Sequence, residues 1–246
     1  MVLSAALESL LEDLLDAMLP ARCPGCERRG ALVCSSCAAT LSPAPFAPPP
    51  PPVEWWVSRF AYEGVARELV ARAKYRNERR FLTLVASELV GAVESTPAPI
   101  DLVTWAPASA VRVRAQGMDH GELLARAVAR RAGAKVAPTL RRGPGPPQTG
   151  LDASARRRGP HLHALARVGG TILVVDDVAT TGGTLAAAAR ALRAAGAAAV
   201  FAATIARTPR PVGPAQGAAY TPATPAGIRA PRSIGSKWTS SSSASM

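Results

Sequence analysis

Aromatic side chains make up only 4% of this 246-residue chain, no cysteine follows Cys37, and acids are outnumbered by bases, 17 to 29. A main body without cysteine excludes a disulfide-stapled scaffold. No apolar run approaches the roughly 18 residues that a spanning helix needs, which argues against a transmembrane segment. The opening stretch MVLSAALESLLEDLLDAMLP has no basic leader and is interrupted by Glu8, Glu12, Asp13 and Asp16. It is a poor secretion signal, so a cytoplasmic location is expected. Neither G-x-G-x-x-G nor G-x-x-x-x-G-K-[ST] occurs, which removes support for a dinucleotide fold of the usual kind or a P-loop ATPase. Trp55 and Trp56 lie in a strand-like run, where core packing is expected rather than base stacking.

What is present is positive charge, +12 in formal terms, supplied almost entirely by arginine. Such a surface attracts polyanions, either nucleic acid or a phosphorylated substrate. A third reading is compositional, because the chain is rich in Ala, Gly, Pro and Arg together.

Periodicity divides the chain. Leu3, Leu7, Leu10, Leu11, Leu14, Leu15 and Leu19 recur at helical spacing before Pro20, so residues 1–20 read as an amphipathic helix. Residues 21–40 hold the cysteines, and the proline-rich residues 41–52 read as a stiff connector. The main domain is expected over 53–208: strands at VEWWVSRFAY, DLVTWAP, KVAPTLRR, TILVVDD and AAVFAATIARTP, and helices between them. That alternation predicts an α/β fold, with a mostly parallel sheet flanked by helices. The Gly-, Pro- and Arg-rich stretch from Arg141 to Gly170 falls outside the pattern and reads as an active-site loop or disorder. Residues 209–246 read as a disordered tail.

The most informative stretch is TILVVDDVATTGGTL, from Thr171 to Leu185. Ligands of parallel sheets gather at the carboxyl ends of strands, and Asp176 and Asp177 stand near such an end. Neighbours on a strand point to opposite sides, so these acids suit different hydroxyls or metal-bound waters of one polyhydroxy ligand. After them Thr180, Thr181, Gly182, Gly183 and Thr184 offer small side chains and backbone N–H groups at a helix start, a cradle for a phosphate dianion. The plainer reading is a capping Asp followed by an ordinary turn.

CPGCERRGALVCSSC places Cys23, Cys26, Cys34 and Cys37 as C-x2-C-x7-C-x2-C. Two such pairs close a tetrahedron on structural zinc; a redox pair, iron or free thiols are the rivals. Arg22, Arg28 and Arg29 flank them as nucleic-acid contacts or solvated surface.

ILVVDDVATTGGTL resembles the phosphoribosyl-pyrophosphate (PRPP) signature of type I phosphoribosyltransferases. The order of the remaining features, from the cysteines to about Arg207, resembles the ComF family of competence-associated phosphoribosyltransferase-like proteins, many with an N-terminal zinc ribbon. Tyr62, Gly64 and Lys74 match one family segment. Gln116, Gly117, Met118, Asp119 and His120 stand where the family has Arg-Gly-Phe-Asn-Gln, and Gln148, Leu151 and Arg156 match a further stretch in which Gly159 replaces Asn. The resemblance implies Asp176 and Asp177 at the ribose hydroxyls, Thr180 to Thr184 at the 5′-phosphate, and PRPP bound with Mg2+. Lys74, Arg112, Arg114 and Arg156 are candidates for the pyrophosphate. It also implies a link to DNA uptake in natural transformation, with single-stranded DNA and DNA-uptake proteins as partners. A transferase with an unidentified acceptor, a non-catalytic DNA-binding accessory protein and a PRPP-sensing regulator all fit these features.

Overall fold

The computed structural model describes residues 22–75, 79–117, 119–143 and 159–209. The expected helix at 1–20, Arg156 with residues 144–158 of the basic loop, the helix break at 76–78 and the tail from 210 lie outside them. The described residues fall into two compact units, 22–41 and 42–209.

In the smaller unit, Arg22 and Arg29 form an antiparallel bridge and one short helix, α1 (Ser35–Ala38), follows Cys34. Val33, Ala38 and Leu41 are buried, a minimal apolar complement that leaves the cysteines to hold the unit together.

The larger unit runs β1 (Trp55–Ala61), α2 (Gly64–Tyr75), α3 (Arg79–Val93), β2 (Leu102–Trp105), α4 (Ala110–Gln116), α5 (His120–Ala132), β3 (Lys135–Val136), β4 (Leu140–Arg142), β5 (Leu162–Ala164), β6 (Thr171–Ala179), α6 (Gly183–Ala194) and β7 (Ala199–Arg207). Its main sheet has the order β1-β7-β6-β2-β3, every pair parallel. β4 and β5 form a separate antiparallel ribbon.

β6 sits at the centre because Ile172, Leu173, Val174 and Val175 are apolar on both faces, and all four are fully buried. On one face Ile172, Val174, Val200 and Ala202 meet Leu185, Ala188, Ala189 and Leu192 of α6, with Leu140 and Leu162 of the ribbon beside them. The alanines of α6 and β7 permit this close approach. The other face is covered by α2, α3 and α5, which bury Leu69, Phe81, Val85, Leu89, Leu124 and Val128.

The α/β architecture is the one the periodicity predicts; three local features differ. KVAPTLRR is two strands in two sheets, because Pro138 falls between them and Thr139 turns the chain toward Thr104, whose hydroxyl it meets at 2.7 Å. The Pro-containing loop after β2 contains helix α4, started by the Ser109 hydroxyl accepting the Arg112 N–H at 3.3 Å. Part of the stretch outside the sheet pattern forms β5. The proline-rich segment is also laid along edge strand β1. Ala61 N donates to Ser42 O at 2.9 Å and Ala44 N to Arg59 O at 3.2 Å, so residues 42–44 cover an edge.

Candidate functional site

From β2 the chain moves outward to β3, and from β6 it moves outward the other way to β7. The β2–β6 boundary is therefore the topological switch point, the place beyond the strand ends where sheets of this kind take their ligands. β2 stops at Trp105, paired with Val175. Asp176 is the next residue of β6, with β7 still beside it through Asp176–Thr204 and Val178–Ala206. Both acids are half-buried in a strand whose preceding four residues are wholly buried. The unbroken register makes them alternate: Asp176 shares the face of Val174 and α6, and Asp177 the face of α5. Each carboxylate accepts from the backbone just after it, Asp176 Oδ1 from Asp177 N at 2.9 Å and Asp177 Oδ1 from Val178 N at 2.5 Å.

β6 continues to Ala179 and turns into α6 through Gly182, which caps the helix in the left-handed region at φ 77°. A side chain there would be strained in backbone, and its Cβ would lie 2.9 Å from Pro50 Cγ. Thr180 is exposed, Thr181 and Thr184 half-buried, and Gly182 and Gly183 buried. Thr181 Oγ1 accepts the Gly183 N–H at 3.3 Å, while Ala186 N makes the first helical bond to Gly182 O at 2.9 Å. The first-turn amides at Gly183, Thr184 and Leu185 thus precede the helical ladder, at the positive end of the helix dipole. Gly159, at φ 73°, packs directly on this turn: a Cβ on it would be 2.1 Å from Gly183 O. An Asn at this position, as the ComF-type pattern has, does not fit this backbone.

Arg112 and Arg114 are exposed on α4. They are joined by Arg142 of β4, half-buried, whose guanidinium is pulled below its ordinary value by burial and then by Arg112, with Asp176 acting in the opposite sense. The structure thus gathers Asp176, Arg112 and Arg142 into one electrostatic neighbourhood. Arg142 closes the expected strand KVAPTLRR and overlaps the stretch read as an active-site loop or disorder; as a site residue it is an addition of the structure, brought in by pairing with Leu162 across the ribbon. Lys74 lies in the last turn of α2, its side chain outside the described residues, as is Arg156.

Asp119 has a structural task in addition. Its Oδ1 accepts the Gly121 N–H at 2.9 Å, starting α5, and its Oδ2 accepts the Ala108 N–H at 3.0 Å. The carboxylate therefore ties the loop before α4 to the start of α5. Two acceptors are needed, which explains why Asp works where the related pattern has Asn, an amide with one acceptor and one donor group.

In the smaller unit the Sγ atoms of Cys23, Cys26, Cys34 and Cys37 all lie within 4.8 Å of one another. The Cys23–Cys34 and Cys26–Cys34 sulfurs are 3.8 and 3.6 Å apart. A tetrahedron with Zn–S bonds of about 2.3 Å has edges of about 3.8 Å, which the two shorter separations match, so the four thiols are gathered at the scale a zinc ion requires. Burial opposes ionisation of Cys23, yet N–H groups of Cys34, Gly25 and Cys26 bring its thiol down to about 6. Burial, hydrogen bonds from the other three sulfurs and the Cys23 charge push Cys37 up to about 12. One thiolate thus resists a second until a dication neutralises them. The cluster is consistent with a structural zinc knuckle.

The fold is an α/β domain whose parallel main sheet is flanked by helices. Residues 118–223 match the phosphoribosyl transferase domain family, a span of less than half the chain. No curated protein matches the sequence. Similar solved structures include the allosteric regulatory enzyme of purine biosynthesis (18% identity, TM-score 0.36, covering 55% of this chain and 30% of that one). Others are a glutamine PRPP amidotransferase from B. subtilis complexed with ADP and GMP (19%, TM-score 0.37, 55% and 30%) and the adenine phosphoribosyltransferase of Thermoanaerobacter pseudethanolicus (17%, TM-score 0.35, 54% and 83%). The chain spans about 30% of the length of the first two. Among the described residues, no helix is long and apolar enough to cross a membrane.

Proposed function

We propose that this protein binds PRPP at the switch point between β2 and β6 and transfers its ribose 5-phosphate to an amine or base. The observation that carries the reading is the half-buried acid pair immediately past the end of β2, followed by the left-handed Gly182 and the first turn of α6. Asp176 and Asp177, on opposite sides of the strand, reach the two ribose hydroxyls. Thr180 to Thr184 receive the 5′-phosphate on first-turn amides and hydroxyls, where the helix dipole favours a dianion. Arg112, Arg114 and Arg142 gather the pyrophosphate charge, with Lys74 and Arg156 as further candidates.

In the transfer, the bond from the anomeric carbon to pyrophosphate breaks, the electron pair leaves with pyrophosphate, and the acceptor's lone pair forms the new bond. The protein holds the sugar, stabilises the leaving charge and excludes water. Two carboxylates beyond the strand ends suit the hydrated Mg2+ that accompanies PRPP, which when bound lowers the repulsion among the phosphates. Calorimetric titration with PRPP and Mg2+ tests the proposal. The wild type takes up one equivalent, and Asp176→Asn with Asp177→Asn abolishes the heat. Absence of wild-type binding would overturn it.

A second reading has its own support. The resemblance to ComF proteins, the net charge of +12 and the exposed Arg22, Arg28 and Arg29 of the knuckle favour contact with single-stranded DNA during its uptake in the cytoplasm. Under that reading the PRPP site regulates rather than catalyses. DNA affinity then falls steeply with salt, through counterion release, and responds to bound PRPP.

A further inference from the structure

The turn that would receive the 5′-phosphate has little with which to hold itself. Gly182 and Gly183 carry no side chain, and glycine loses more backbone freedom on ordering than any other residue. Amides serve an anion best when they are aimed before it arrives. A turn of this composition is therefore held from outside, and the structure supplies a contact on each side of it. Gly159 packs on Gly183 from one direction. From the other comes the ring of Pro50: a Cβ on Gly182 would lie 2.9 Å from Pro50 Cγ, 3.1 Å from its Cβ and 3.7 Å from its Cδ.

Pro50 belongs to a stretch whose composition reads as a connector, yet that stretch is pinned at both ends. Upstream, Pro43 bridges Phe60 and residues 42–44 follow β1. Downstream, Val53 N donates to Pro50 O at 3.0 Å, and the Val53 side chain is buried in the core beneath α6. Glu54 N then donates to Val200 O at 3.0 Å, while Glu54 Oε2 accepts the Val200 N–H at 2.8 Å. Between the pins, proline rings fix φ, so holding this segment against a turn loses little chain entropy.

We infer that Pro50 is a positioning residue for the phosphate cradle: its ring, carried by the pinned segment 42–53, is a fixed wall that keeps Gly182 left-handed and the amides of Gly183, Thr184 and Leu185 aimed at the 5′-phosphate. The inference rests on the reading of this turn as the phosphate site. It gives the proline stretch a part in ligand binding as well as in spacing. The effect is selective, since the pyrophosphate side is built from Arg112, Arg114 and Arg142 on α4 and β4.

The test uses the full chain and two fragments of the ligand, ribose 5-phosphate and pyrophosphate, each titrated calorimetrically with Mg2+. Pro51 keeps residue 50 extended whatever its side chain, so Pro50→Ala and Pro50→Val differ in packing rather than in backbone. Pro50 is half-buried and outside the sheet, and both variants fold. Pro50→Ala, which loses Cγ and Cδ, weakens ribose 5-phosphate binding about tenfold through misplacement of the amides. Pyrophosphate binding, built elsewhere, stays within about twofold of wild type. Pro50→Val, which restores carbon at the γ position, recovers most of the ribose 5-phosphate affinity. Equal ribose 5-phosphate affinity in wild type and Pro50→Ala, or a parallel loss for both fragments, overturns the inference.

A second measurement needs no ligand. In 15N relaxation of the free chain, the order parameters of the Gly182 and Gly183 amides drop from about 0.85 to below about 0.6 in Pro50→Ala and return in Pro50→Val. Unchanged values overturn the wall. The two readings fail separately: a wild type that binds neither fragment sinks the phosphate assignment, and the relaxation data then decide by themselves whether Pro50 orders the turn.

Discussion

Replacing Gly159 with Asn brings the sequence closer to the ComF-type pattern, yet the structure predicts damage. Gly159 has φ 73°, and a Cβ there would lie 2.1 Å from Gly183 O and 2.6 Å from Gly183 C. Carbon first touches a carbonyl oxygen near about 3.3 Å. The obstacle is backbone of the first turn of α6, so no rotamer change relieves it. Left-handed backbone costs a residue with a side chain roughly 1 to 2 kcal/mol, less for Asn than for Ala. Forcing the segment off the helix start adds about 1 to 3 kcal/mol, as for other overpacked sites. A destabilisation of about 2 to 4 kcal/mol follows, which at a urea slope of about 2 kcal/mol/M lowers the unfolding midpoint by about 1 to 2 M. Gly159→Ala loses slightly more, because it lacks the local tolerance of Asn for this conformation. PRPP binding falls too, because displacement of the Gly183 carbonyl rotates the turn that carries the cradle. Urea titration followed by circular dichroism, with calorimetry on the same samples, measures both. Midpoints within about 0.3 M of wild type for both variants would refute the close approach and the explanation it offers for glycine at this position.

Two further predictions concern single groups. Asp119→Asn retains the acceptor for Gly121 N but presents an NH2 to Ala108 N, costing about 1 to 3 kcal/mol in thermal or urea unfolding. Asp119→Ala removes both acceptors and costs more; equal stability of Asn variant and wild type would remove the explanation given for Asp here. For the knuckle, chelation abolishes the fold of residues 22–41, and zinc affinity falls at least about tenfold for each unit by which pH drops from 8 to 7, because binding displaces thiol protons. Cys37, held up near 12 in the metal-free state, supplies one such proton throughout that range, whereas Cys23, at about 6, is already largely ionised there. Competition with a chromogenic chelator across pH reads this, and a flat affinity would contradict it.

The readable parts of this chain were those whose signals are local. Ile172 to Val175 declare a strand buried on both faces, Gly182 a helix entry, and the cysteine spacing a tetrahedral site. Each rests on residues adjacent in sequence. The approach of Arg142 to Asp176 is not legible in the sequence, because β4 and β5 have three residues each and owe their pairing to Leu140 and Leu162 packing on α6. Helix α4, seven residues long, is too short for periodicity to outweigh the loop signals before it. Ser58, Thr204 and Trp56 read as ordinary strand residues, and only register between strands 146 residues apart makes neighbours of Ser58 and Thr204. The prolines at 48–52 told against a helix but not where they would lie; the contact of Pro50 with Gly182 is tertiary.

The position of the acid pair also explains how a carboxylate is tolerated at the end of an otherwise apolar strand. Once β2 has ended, β6 has a strand neighbour only on the β7 side, and amides past that point need acceptors. Asp176 and Asp177 turn one oxygen back to the N–H groups of Asp177 and Val178. That alone is a capping role, and it accounts for one oxygen of each acid without any ligand. Capping does not require charge, because an amide carbonyl accepts equally from an N–H; a ribose held by ionised acids does require it. Asn at both positions therefore separates the two roles. If the double variant unfolds at the wild-type temperature and loses PRPP, the charges serve a ligand. If it retains PRPP undiminished, the acids are caps, and the phosphate cradle must bind the sugar without them.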